Sequence, residues 1–106
     1  MQESLESEVL RLMLSENPFL LNQISRARKT HREFTGVGFY TDYCVDDLMY
    51  CEDNLQISGV GAKINKSIDV GFILFVEHEK KLICLECYAY DNSWPNVIET
   101  YEVYLT

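Results

Sequence analysis

Few residues of this chain have the types and spacing to do chemistry. Cys84 and Cys87 form a C-x-x-C pair. A zinc knuckle would need that pair in a tight turn, with a second ligand pair elsewhere. The remaining cysteines, Cys44 and Cys51, stand seven positions apart in another part of the chain. A redox pair would need a helix N-terminus to lower the thiol pKa. Residues 82–90 are instead β-prone, and in a strand positions 84 and 87 point to opposite faces. The expectation is four reduced, metal-free thiols that behave as small hydrophobes. Glu86 lies in the middle of the same run, with Cys84, Tyr88 and Tyr90 on its face. A carboxylate on an interior strand needs a hydrogen bond, a cation or water, or its pKa rises. One reading makes Glu86 a pocket carboxylate flanked by Tyr88 and Tyr90. The other makes its face partly solvated, or gives it a nearby Arg or backbone N–H.

Two Gly-x-Gly segments, Thr35-Gly36-Val37-Gly38-Phe39 and Ser58-Gly59-Val60-Gly61-Ala62, invite a phosphate-loop reading. That reading needs a glycine turn between a strand and a helix. Both segments lie inside strand patterns and neither shows the third glycine. Glycine in a strand permits a bend or the close approach of a large neighbour, here Phe72, Phe75 or Tyr88. His31 and His78 stand alone, and no catalytic set can be read by spacing. The acids Asp42, Asp46, Asp47, Glu52 and Asp53 lack the spacing and central glycine of a calcium loop. No catalytic residue, metal or cofactor is therefore expected.

The elements that must position these residues are legible in the hydrophobic pattern. Residues 69–91 organise the chain. Residues 70–76 are apolar on both alternating sets, which predicts a strand hidden on both faces. Residues 82–90 form the return strand and 77–81 the turn, making a hairpin at the centre of an antiparallel sheet. Before it, Leu5, Val9, Leu12 and Met13 make a helical stripe over residues 4–16, with Ser4 as cap and Glu3, Glu6 and Glu8 near the positive end of the dipole. Asn17-Pro18 starts a second helix running to about residue 28. Its closing bases, Arg26, Arg28 and Lys29, complement the negative pole. One strand is expected to about residue 41, an acidic irregular stretch with a helical turn over 46–50 next, and a strand over 55–65. After the Trp94-Pro95 turn comes a last strand over 101–105. The fold class is α+β: two N-terminal helices packed on a curved antiparallel sheet of about five strands. Residues 1–106 read as one domain, with 1–29 helical and 30–106 forming the sheet.

The 106 residues carry a net charge of −8. Residues 42–53 hold five acids and no Lys or Arg, and no base follows Lys81. Such a surface disfavours nucleic acid and anionic lipid and tolerates a basic protein. No apolar run reaches the ~20 residues of a membrane span, and the acidic start has no signal-peptide pattern. The expected location is cytoplasmic.

Thr35-Gly-Val-Gly-Phe-Tyr-Thr41, Gly71-Phe-Ile-Leu-Phe75, Leu85-Glu86-x-Tyr88-x-Tyr90 and Trp94-Pro95 together resemble a loosely defined set of small uncharacterised bacterial proteins. These carry a GVGF[FY]T segment, a GF-hydrophobic strand, an LE-x-Y-x-Y strand and a WP turn. The resemblance covers residues 34–95 and brings no activity. It draws attention to Glu86, Tyr88, Tyr90 and Trp94, and by analogy of type to immunity proteins that neutralise a toxin.

Two functional readings follow. The first is a non-enzymatic bacterial interaction protein of immunity type. It binds a basic protein through an acidic, Tyr-rich surface built on Asp42, Tyr43, Asp46, Asp47 and Tyr50, with Tyr40 and Glu52 beside them. A homodimer is a further partner option. The alternative is a small enzyme or ligand binder with a sheet pocket around Glu86. Convergent Glu and Tyr groups in a pocket would favour the alternative, and a flat acidic patch with exposed Tyr the first.

Overall fold

The computed structural model describes residues 1–46, 48, 55–90 and 93–106. Helices α1 (Gln2–Met13) and α2 (Pro18–Ser25) precede six strands: β1 (Lys29–Phe34), β2 (Gly38–Cys44), β3 (Leu55–Ile64), β4 (Ile68–Glu77), β5 (Leu82–Ala89) and β6 (Tyr101–Leu105). The strands form one antiparallel sheet in the order β1-β2-β5-β4-β3-β6. The fold is α+β, and the β4–β5 hairpin is its central pair.

The sixth strand comes from the first glycine segment. The single strand expected to residue 41 is a hairpin, because Gly36 takes φ +90° between β1 and β2. That conformation favours glycine, which has no Cβ to clash. Gly38 then lies so close to β5 that a Cβ would collide with the Cys87 carbonyl oxygen. In the second segment Gly59 has φ +102° at a register shift between Ile57 and Val60, a bulge that bends β3.

The helices begin and end differently from the sequence reading. α1 starts at Gln2, so Ser4 lies in its first turn and donates its hydroxyl back to the Met1 carbonyl. Asn17 does cap α2, accepting the Leu20 N–H at 3.2 Å, with Pro18 at the first position. α2 stops at Ser25, however, and has no base in its last turn. Arg28 is used elsewhere, in an ion pair with Asp46. The helical turn expected over 46–50 lies mostly outside the described residues.

The core lies on the helix side of the sheet. Leu5, Val9 and Leu10 of α1 and Leu20 and Ile24 of α2 meet Phe39, Phe72, Leu74, Val76, Ile83 and Leu85 from the inner face. Each such side chain contributes about 1.5–3 kcal/mol by leaving water. β4 is not hidden on both faces as its sequence suggests. Val70, Phe72, Leu74 and Val76 are buried, whereas Ile73 and Phe75 on the other face are only half-buried. Both helices precede β1 in the chain, and the core they complete lies on one face.

Candidate functional site

Strand alternation sorts the chemistry-bearing residues onto the two faces. On β5, Cys87 is buried on the helix side, while Cys84 and Glu86 face the open side. Glu86 lies in register between Tyr40 of β2 and Ile73 of β4, and Cys84 lies between Asp42 and Phe75. Asp42, Glu77 and Glu86 surround a shallow hollow of about 410 Å3 with Tyr40, Phe75 and Leu82. Among the described residues no Lys or Arg lines the hollow, although Lys80 reaches Glu77 from the adjoining turn at 3.7 Å. Among the described residues Glu86 makes no ion pair, and it is partly buried.

The tyrosines of this face are engaged with one another or with the rim. Tyr40 donates its hydroxyl to Glu33 on β1, and that bond raises the Tyr40 pKa. Tyr88 and Tyr90 form an edge-on pair with centroids 5.5 Å apart. Partial desolvation and then Tyr90 push the Tyr88 hydroxyl up. Both tyrosines lie over Gly71, where a Cβ would come within 2.8 Å of the Tyr88 ring. Glycine here lets an aromatic side chain approach the central strand closely. Tyr90 is 57% exposed at the edge of this surface. The Cys84 thiol is pushed up to about 12, by burial first and by its hydrogen bond to Asp42 second. Both effects favour the protonated thiol, which disfavours the nucleophilic thiolate form.

Several residues expected at the acidic surface lie elsewhere. Tyr43 is not part of it. It follows Asp42 on β2, so it points inward, is 8% exposed and packs in the core. Burial pushes its hydroxyl pKa well up, and Glu6 adds to the effect. Asp46 is exposed and bound to Arg28 at 2.8 Å. Asp47 and Tyr50, like Cys51, Glu52 and Asp53, lie outside the described residues. Trp94 is half-buried and closes the core edge, with its ring edge-on to Phe39 at 5.1 Å. The acidic surface that the described residues do form is the open sheet face, from Glu33 through Asp42 and Glu86 to Glu77. Glu33, Phe75 and Glu77 were missed because they join it through cross-strand register, although the alternation of Phe75 and Glu77 with the buried Leu74 and Val76 was readable.

Sequence reasoning also missed the most buried charge. Glu6 is 3% exposed and accepts five hydrogen bonds. Arg32 of β1 supplies two, both at 2.6 Å, in the fork geometry of a guanidinium on a carboxylate. Gln2 donates at 2.7 Å, Thr41 at 3.0 Å and Tyr43 at 3.4 Å. The bond to Glu6 raises the Arg32 pKa further. The network fastens α1 to β1 and β2. Read in sequence, Glu6 is one more acid near the positive end of the helix dipole, and only its position one residue after Leu5 hinted at the buried face.

The fold and the site define a small α+β protein whose helices cover one face of a sheet and whose other face is open, acidic and aromatic. In comparisons with family models, curated proteins and solved structures, nothing matches this chain.

Proposed function

We propose that this protein is a non-enzymatic binding protein that takes a basic protein partner on the open face of its sheet. The observation that carries the reading is the hollow formed by Asp42, Glu77 and Glu86 around Tyr40, Phe75 and Leu82, on a face no described helix covers. Exposed aromatic rings offer contact area at low entropic cost, and unlike charges speed encounter. An immunity-type role, in which the partner is a basic toxin, is the particular form of this reading that the bacterial resemblance supports. A reducing, cytoplasmic setting fits the unpaired thiols of Cys44, Cys84 and Cys87.

The competing reading is a small enzyme or ligand binder at Glu86. The presence of a hollow favours it. The tyrosine hydroxyls weigh against it, because Tyr40 is turned to Glu33 and Tyr88 is paired with Tyr90, leaving no convergent set around the carboxylate.

The test compares two double charge reversals of equal size. Asp42→Lys with Glu86→Lys alters the face, and Glu16→Lys with Glu99→Lys alters exposed acids elsewhere. Folding of both is checked by circular dichroism. Proteins captured from host lysate at low and high salt are cross-linked and the links mapped. The expected result is a basic partner linked to β2 and β5, retained by the control and lost by the face variant, with weaker capture at high salt. Equal capture by both variants, or links confined to the helices, would reject the reading.

A further inference from the structure

A second concavity lies away from the open face, between the two helices and the β1–β2 end of the sheet. Its volume is about 370 Å3, at the small end of the range for ligand pockets. Leu10 of α1 and Leu21 and Ile24 of α2 make an apolar wall. Arg32 stands opposite, with Ser7 and Ser25 at the exposed mouth.

The state of Arg32 decides what the cleft can hold. A guanidinium has five N–H donors. Glu6 takes the Nε–H and one N–H of Nη2. Among the described residues Arg32 makes no other hydrogen bond, and its side chain lines the cleft, which leaves three of its N–H donors available to a bound group. Its side chain is 23% exposed, which desolvates these donors in part. A group that accepts from them in a largely apolar cleft would replace water at little cost.

The charge of that group follows from the same network. Glu6 already neutralises Arg32, and Glu3 adds a negative charge at the rim. An anion would lose its hydration for no net attraction. A cation fares no better, because five donors occupy the two Glu6 oxygens and Glu3 is exposed, where an ion pair contributes little. An uncharged carbonyl avoids both penalties. We infer that the cleft between α1, α2 and β1 is a binding site for a small uncharged amphipathic molecule, an aliphatic amide or ester, whose carbonyl accepts from Arg32 and whose alkyl chain rests on Leu10, Leu21 and Ile24. This site is independent of the open-face reading.

The test uses three probes with similar alkyl chains and different heads: hexanamide, hexanoate and hexylammonium. Each is titrated at neutral pH into the full chain, and binding is read by NMR at the Arg32 Nε–H and the methyl groups of Leu10, Leu21 and Ile24. Hexanamide should give saturable shifts at all of these and bind at least about tenfold tighter than either charged probe. Ser7→Trp and Ser25→Trp, each at an exposed helix position, should fill the mouth and abolish the shifts. Retention of the bonded Arg32 Nε–H signal reports that each variant is folded. Absence of saturable shifts with hexanamide, equal or tighter binding of hexanoate or hexylammonium, or shifts that persist in both folded variants would overturn the inference. The wild-type comparison of the three probes decides the matter without either variant.

Discussion

Replacing Arg32 by Met should destabilise this protein far more than its position on an edge strand suggests. The substitution keeps the apolar stem and removes the guanidinium. Glu6 then remains 3% exposed with its charge uncompensated. Two charge-assisted hydrogen bonds at 2.6 Å are lost, each contributing about 1.5–3 kcal/mol. Breaking a buried ion pair by removing one partner costs about 3–5 kcal/mol, which agrees with that sum. Gln2, Thr41 and Tyr43 still donate to Glu6, so the lower half of the range, about 3–4 kcal/mol, is expected. Thermal melts followed by circular dichroism should show a midpoint at least roughly 12 °C lower for a domain of this size. Thr41→Val, which removes one donor to the carboxylate at 3.0 Å and leaves the charge paired with Arg32, should cost less, about 1.5–3 kcal/mol. The informative comparison is Arg32→Met combined with Glu6→Leu. With both charges gone nothing buried is left uncompensated, and much of the loss should be recovered. If Arg32→Met alone costs under about 1 kcal/mol, or the double variant is no more stable than the single one, α1 is not fastened by this network.

Two further outcomes follow from single residues. Asn65 adopts φ 52°, and its side chain donates to the Val97 carbonyl and accepts from Glu99 and Thr100. Asn65→Ala should cost about 1–3 kcal/mol and lower hydrogen-exchange protection in β6 before the other strands; uniform loss of protection would refute this. The Cys84 thiol, pushed up to about 12 by burial and Asp42, should react slowly with iodoacetamide in the folded protein and fast in urea. Its folded pKa lies above the unfolded value. The stability linked to it is therefore complete below about pH 9 and declines as pH rises toward 12. Labelling of Cys84 at equal rates in folded and unfolded protein would contradict the burial.

The sequence by itself determined the elements. Period-2 runs marked the strands, Asn17-Pro18 marked the start of α2, and the apolar 70–76 segment marked the central hairpin. These signals are local, because they come from side-chain alternation and from the backbone limits of Pro and Gly. The C-x-x-C geometry was legible for the same reason: strand alternation alone sends Cys84 and Cys87 to opposite faces. Local pattern did not reveal that Thr35-Gly36-Val37 turns the chain, since Gly36 shows its positive φ only once β1 folds back on β2. It also joined Asp42 and Tyr43 into one surface that the strand splits between two faces. Tertiary structure alone decided which charges are buried. Glu6 and Arg32 are 26 positions apart, and in the sequence Glu6 stands with Glu3 and Glu8 as one more acid near the positive end of the helix dipole. Burying that carboxylate depends on three donor residues arriving from β1 and β2, and a one-dimensional pattern holds no record of donors brought together by strand register and helix packing.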